Sequence, residues 1–206
     1  MPLLTVRGLR TGLIGPLSVA LDAGECAVVF GSSGAGKTRL LRAIADLDPH
    51  EGEVELDGQS CSMMAAPHWR RRVAMLPAEP QWWLDCAVDH FSESAPEPTD
   101  LEALGLTTHQ LRQPVAELSE GQRQRLAILR LLVNRPQILL LDEPTARLDE
   151  KNVRKVEALL SDYLRWRPAA MIWVTHDPAQ GVRIGQRFWC VEHGRLVEMP
   201  EWPASW

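Results

Sequence analysis

Three groups of residues in this chain have types and spacings that suit work on a phosphorylated substrate. The run Gly31-Ser32-Ser33-Gly34-Ala35-Gly36-Lys37-Thr38 places glycines where a backbone must curl tightly and ends in a cation and a hydroxyl. In such a loop successive amide N–H groups turn inward onto phosphate oxygens, and the positive end of the following helix adds to the field. Lys37 supplies a point charge for the β- and γ-phosphates of a nucleotide, and the Thr38 hydroxyl suits Mg²⁺. A chance glycine turn is the rival reading. With glycine near 7% of residues, four fixed positions coincide in a chain of this size with a probability of roughly one per cent or less.

The second group is Asp142-Glu143, reached through the apolar run Ile138-Leu139-Leu140-Leu141. Asp142 is placed to hold Mg²⁺ and Glu143 to orient or deprotonate an attacking water. Paired carboxylates beside a proline are common turn formers, so the phosphate loop is what gives this pair a chemical reading. The third group is Leu118-Ser119-Glu120-Gly121-Gln122. Ser119 with Gln122 three residues on satisfies a helix capping box without any ligand. The same helix N-terminus can equally face an anion.

The elements that must position these groups read as alternating strands and helices. Leu3 to Leu21 mixes short apolar runs with Gly12, Gly15 and Pro16, as short antiparallel strands and tight turns do. Ala27-Val28-Val29-Phe30 is a continuous apolar run entering the glycine loop, the pattern of a buried parallel strand. Leu40, Leu41, Ile44, Ala45 and Leu47 then recur at helical spacing until Pro49 and Gly52. Glu53-Val54-Glu55-Leu56 alternates as a half-exposed strand. A helix is expected after Gln122, stopped near Asn134 and Pro136, and another from about Asn152 to Trp166. Ala170 to Thr175 reads as a buried strand ending at His176, and Phe188–Val191 with Arg195–Glu198 as a hairpin through Gly194. From Pro80 to about Pro114 the texture differs, with Pro96-Glu97-Pro98, short helical stretches and the pair Trp82-Trp83, in a segment of about residues 80–134. They are expected to form a short inserted helical subdomain within a single domain covering 1–206.

Composition narrows the classes. The 206 residues are 45% hydrophobic and 24% charged, ordinary for a globular domain able to bury a large core. A net charge of −5 argues against non-specific nucleic-acid binding, so no nucleic acid is expected. Arg70-Arg71-Arg72 and Arg123, Arg125 and Arg130 are expected to be solvated or near phosphate. Cys26, Cys61, Cys86 and Cys190 form no C-x-x-C pair and fit free thiols in a reducing compartment. No stretch looks like a signal peptide or has the ~18–20 apolar residues of a membrane span, so any membrane role is expected to need a partner that spans.

In this order the phosphate loop, Leu118–Gln122 and Asp142-Glu143 resemble the ATP-binding cassette (ABC) ATPases, from about Leu17 to Glu198. The resemblance implies an α/β P-loop NTPase fold. That is a mostly parallel sheet flanked by helices, an N-terminal antiparallel β element and the inserted helical subdomain. It implies ATP and Mg²⁺ as ligands, with Gly31–Thr38 around the phosphates, Thr38 and Asp142 on the metal, and Lys37 and Glu143 in catalysis. Val174-Thr175-His176-Asp177 matches the family's switch histidine, which reaches the γ-phosphate. Ser119, Gly121 and Gln122 then face ATP held by a second subunit, and Asp149 matches the D-loop lining that seam, which implies a nucleotide-sandwich homodimer. The implied function is the ATP-hydrolysing subunit of a transporter, working with a separate transmembrane permease at the cytoplasmic face of the membrane. The rivals are a non-transport ABC ATPase of DNA repair or the ribosome, and a nucleotide-gated clamp of weak catalysis.

Two positions depart from the family pattern. No Tyr, Trp or His precedes Phe30 to stack on adenine, which leaves Arg10 or Leu13 to meet the base and implies weak selection between ATP and GTP. The family's glutamine-loop residue, which reaches Mg²⁺, falls at Ala78, with Glu79 adjacent and Gln81 three residues on. Gln81 is expected to take over the role. Trp82 and Trp83 stand where the permease's coupling helix docks in relatives, against the alternative that they pack the small subdomain. Trp202 and Trp206 are left between a frayed end, a packing flap and a partner contact.

Overall fold

The computed structural model describes residues 1–91 and 95–202. Trp206 lies outside them. Two sheets carry the architecture. The smaller is antiparallel, in the order β2-β1-β4-β5, from β1 (Leu4–Arg10), β2 (Leu17–Leu21), β4 (Glu51–Leu56) and β5 (Gln59–Ser60). The larger has the order β10-β9-β3-β8-β7-β6. It comprises β3 (Cys26–Phe30), β6 (Val73–Leu76), β7 (Ile138–Asp142), β8 (Ala170–Val174), β9 (Arg187–Glu192) and β10 (Arg195–Met199). Its pairs are parallel except β9–β10, the expected hairpin. This is the α/β fold expected from the sequence, with its N-terminal antiparallel element.

β3, β7 and β8 are buried at every position, because the sheet is covered on both faces. Alternation along each strand divides the core in two. Ala27, Val29, Ile138 and Leu140 face α1 (Lys37–Ile44), α2 (Ala66–Arg72) and the antiparallel sheet. Val28, Phe30, Leu139 and Leu141 face the side packed by α5 (Glu120–Leu132) and α6 (Glu150–Trp166). Helix α1 stops at Ile44, short of Leu47, since Asp46 adopts a left-handed backbone (φ 56°) and the Trp69 indole donates to the Ile44 carbonyl.

Between β6 and α5 the chain forms α3 (Pro98–Ala103), α4 (Thr108–Arg112) and short 3₁₀ turns at Ala87–His90 and Val115–Glu117. Leu101, Leu104, Leu106 and Leu111 from this segment join the same core as Leu126 and Leu139. Helix α7 (Pro178–Ile184) follows β8. The C-terminal Trp202 is a packing flap: it is buried, stacks on Phe30 with ring centroids 4.3 Å apart, and lies against Gly181 of α7.

Among the arginines, Arg125 and Arg130 differ from expectation. Arg125 is buried and donates to the Gly121 and Leu104 carbonyls and to Asn152, and Arg130 lies 4.4 Å over the Trp82 ring. Arg70 reaches the Asp46 carbonyl and Arg72 bonds Gln137. Arg125 and Arg130 serve packing and bridging, whereas Arg70 and Arg71 stay exposed as expected.

Candidate functional site

The site lies beyond the carboxyl ends of β3, β8 and β7, three neighbours in the larger sheet, where ligands of parallel α/β sheets collect. The loop after β3 needs its glycines. Gly31, Gly34 and Gly36 have φ of 144°, 79° and 105°, and a Cβ on Gly31 would stand 2.3 Å from the Val191 carbonyl oxygen. Gly36 caps α1, so that helix presents its N-terminus directly to the loop.

Lys37 and Thr38 open α1 and make different contacts. The buried Lys37 Nζ donates to the Gly31 and Ser32 carbonyls at 2.8 and 2.9 Å, folded back under the loop. Burial lowers its affinity for a proton, opposed by the charges of Glu143 and Asp142. The Thr38 hydroxyl donates to Asp142 Oδ2 at 2.7 Å, which joins two elements 104 residues apart in sequence. Asp142 is 4% exposed, and burial raises its pKa despite the Thr38 hydrogen bond, with Glu143 pushing the same way and Lys37 and His176 opposing. A buried carboxylate beside a hydroxyl is a donor set for a hard cation, and an anion so desolvated has most to gain from one. These residues fit Mg²⁺.

Glu143 follows with a left-handed backbone (φ 47°), uncommon for a residue with a side chain and costing on the order of 1 kcal/mol or more. Its amide donates to the Val174 carbonyl at 3.1 Å, which ties the turn to β8. That geometry brings Glu143 Oε1 to 3.0 Å from His176 Nε2. The sequence supplied these two residues separately and the fold makes them neighbours.

Behind them sits a buried polar hub that sequence reading missed. Gln180, 2% exposed, accepts from the Thr145 and Thr175 hydroxyls at 3.2 and 2.9 Å and donates to Glu157 Oε1 at 3.0 Å. It couples the turn after Glu143, the end of β8 beside His176, and α6. Gln124 adds a second brace, donating to the Pro144 carbonyl at 3.0 Å. The only sequence signal was glutamine at the inward positions of two helices.

The predicted residues Ser119, Gly121, Gln122 and Asp149 are exposed or half-buried and sit at two helix N-termini, those of α5 and α6. Ser119 Oγ accepts from the Gln122 amide at 3.2 Å while Gln122 Oε1 accepts from the Ser119 amide at 2.7 Å, the reciprocal cap of α5. Asp149 caps α6 through the Asn152 amide at 2.9 Å, and Asn152 in turn accepts from Arg125. Gly121 packs on Leu148, since a Cβ there would lie 3.3 Å from that side chain. Gln81 is not brought to the Thr38–Asp142 pair by any hydrogen bond among the described residues. Its amide donates to the Glu79 carbonyl at 3.2 Å, and it lines a cleft with Glu120 and Arg123.

Of the two candidates for the base, Arg10 is drawn toward Glu51 at 4.0 Å, whereas Leu13 is 51% exposed and adjoins Gly36 of the phosphate loop. The tryptophans divide: Trp82 packs on the core and Trp83 is 69% exposed over a groove lined by Leu47, Leu76, Pro77 and Leu131. His90, to which the sequence assigned nothing, is buried, and its Nε2 accepts from the Trp83 and Leu84 amides at 2.9 and 3.0 Å.

Residues 14–146 match the family model described as ABC transporter. The chain belongs to the ABC transporter family, as an ATP-binding ATPase subunit. It is 32% identical to the probable iron export ATP-binding protein FetA of Escherichia coli K12 over 80% of this chain and 78% of the relative. It is 35% identical to the aliphatic sulfonates import ATP-binding protein SsuB of Cupriavidus necator over 87% of this chain and 62% of the relative. A spermidine/putrescine import ATP-binding protein PotA of Chromobacterium violaceum is 32% identical over 90% of this chain, which spans 55% of that relative's length. Among solved structures, an ATP-binding cassette dimer in a post-hydrolysis state, bound to ADP and Pi, has a TM-score of 0.82 at 23% identity over 98% of this chain and 99% of that one. An ATP-binding subunit of an ABC transporter gives 0.87 at 22% identity, over 96% and 89%. At that identity the structural likeness supports the fold. No helix among the described residues is long and apolar enough to cross a membrane.

Proposed function

We propose that this subunit binds MgATP at Gly31–Thr38, pairs with a second copy of itself across two nucleotides, and hydrolyses ATP to drive a separate membrane permease from the cytoplasmic face. The observation that carries this reading is the convergence of Lys37, the Thr38–Asp142 pair and the Glu143–His176 pair at the ends of adjacent strands. Lys37 has one ammonium proton beyond the two donated to loop carbonyls, directed by the loop that would cradle the phosphates. Thr38 and Asp142 would hold Mg²⁺, which when bound neutralises charge developing on the phosphates. Glu143 accepts a hydrogen bond from the attacking water, and its strained backbone fixes the direction of that carboxylate. His176, 3.0 Å from Glu143, orients that carboxylate and is the residue proposed to reach the γ-phosphate.

Ser119, Gly121 and Gln122 would complete the partner's site and Asp149 the seam, because they present a helix N-terminus on an exposed face apart from Lys37. Leu13 offers an apolar edge to the base in place of a stacked ring, so discrimination against GTP is weak. Trp83 and its groove would receive the permease, as an exposed aromatic anchor beside an apolar channel. The named relatives act on unlike solutes and in both directions, so the permease sets both.

Replacing Glu143 by Gln tests the scheme. Hydrolysis should fall about 10²–10⁴-fold while MgATP binding persists, and light scattering should show an ATP-dependent dimer accumulating. A variant that keeps wild-type turnover would remove Glu143 from the catalytic role.

A further inference from the structure

We infer that Arg147 is a positioning residue that links the partner-facing loop after β6 to the catalytic turn after β7, supplying a connection that Ala78 cannot make. The inference rests on the ATPase reading above. Arg147 lies four residues after Glu143 and two before Asp149, in the loop that joins β7 to α6. Its guanidinium bonds the Glu79 carboxylate, one residue past Ala78, and its other nitrogen stands 3.9 Å from Glu120 in the first turn of α5. Two loops and the start of α5, separated by up to 68 positions in sequence, therefore share one cation. β6 and β7 are adjacent parallel strands, so their outgoing loops emerge side by side and a single long side chain spans them.

The loop from 77 to 84 faces two ways. Pro77, Trp83 and Leu84 line the groove proposed for the permease. Glu79, Pro80 and Gln81 line a cleft of about 290 Å³ with Glu120, Arg123, Gln124 and Arg147. Any shift of the loop under load at Trp83 displaces Glu79, and through it Arg147. Arg147 then acts on a short, firmly braced turn, whose Ala146 amide donates to the Glu143 carbonyl and whose Leu148 amide donates to Thr145. Arg147 stands between two carboxylates, bonded to Glu79 and 3.9 Å from Glu120. The pair is largely exposed (39% and 69%), so it contributes little to stability and its effect is on geometry.

The test is a double-mutant cycle on hydrolysis by the intact chain, with Arg147→Ala, Glu79→Ala, the double variant, Arg147→Lys, and Arg7→Ala as an ion-pair control on β1. Arg147→Ala and Glu79→Ala should each lower kcat about tenfold with KM for ATP within about twofold, and the double variant should be no worse than either. Arg147→Lys should recover most of the rate, and Arg7→Ala should leave it unchanged, while Tm stays close to wild type throughout. Multiplying losses in the double variant, an unchanged kcat in Arg147→Ala, or a fall in Tm that accounts for the lost rate would each overturn the inference. A wild-type chain that fails to turn over MgATP would overturn the ATPase reading instead, and that result appears before any substitution is made.

Discussion

The two halves of the nucleotide machinery are finished to different degrees within one chain. Around Lys37 and Asp142 the charged groups are buried and aimed: the cation folds under the loop, and the hydroxyl of the exposed Thr38 meets the carboxylate at 2.7 Å. Ser119, Gln122 and Asp149 are exposed or half-buried and are spent on helix caps, Ser119 with Gln122 and Asp149 with Asn152. The first half is preorganised by these contacts. The second is self-contained and can serve a ligand only by turning outward. The difference teaches that nucleotide binding should belong to the single chain, while closure of the site should depend on a second copy.

The largest effect that can break this contrast is at Lys37. Lys37→Ala should lower kcat/KM for MgATP about 10²–10³-fold. Saturating MgATP, which should stabilise the wild type by about 2.7 kcal/mol at a hundred times Kd, should no longer raise the variant's Tm. Retained thermal protection would mean that the glycine-loop amides hold the phosphates without the cation, so that the first half is less dependent on its buried charge than its geometry implies.

Ser119 sharpens the contrast from the other side. Ser119→Ala removes the α5 cap, which typically costs about 1 kcal/mol and, in a chain of this length, about 2–4 °C in Tm. Ser119→Asp keeps a good cap and should keep the Tm, yet it places a carboxylate where the partner's phosphates must approach. In a Glu143→Gln background, Ser119→Asp should bind MgATP normally and fail to dimerise by light scattering. Dimers that form as readily as with serine would show that this face does not meet nucleotide.

Much of this was legible in the sequence because local physics sufficed. Continuous apolar runs marked β3, β7 and β8, and the glycine spacing marked the phosphate loop before any tertiary contact was known. Capping at Ser119 followed from a serine and a glutamine three apart. What was not legible needed long-range placement. Glu143 and His176 belong to different strand ends and become partners only because β7 and β8 are adjacent. Gln180 looked like any helical glutamine until the fold buried it among Thr145, Thr175 and Glu157. Arg125 and Arg130 were expected to be solvated or near phosphate because charge alone does not disclose a carbonyl or an indole waiting for it. Gln81 looked available by spacing, yet its amide turns to the Glu79 carbonyl.

The smallest expected effect concerns Asp142 and asks whether the first half truly waits for a cation. Burial holds the folded-state pKa of Asp142 above its ordinary value of 3.8. The folded chain therefore keeps this proton to higher pH than the unfolded chain, and ionising the group costs stability. That cost is absent below the unfolded value, grows as pH rises through the folded value, and is complete above it. Asn at 142 removes the charge and retains an oxygen for the Thr38 hydroxyl. Without nucleotide or metal, Asp142→Asn should accordingly melt higher than wild type at pH 7, and the two should converge as pH falls toward 3.8. Adding MgATP should reverse the order, since only the carboxylate gains from the cation. A wild type that is already the more stable at pH 7 without metal would mean that Lys37 and His176 compensate the carboxylate on their own, and the half-site would then be electrostatically complete before any ligand arrives.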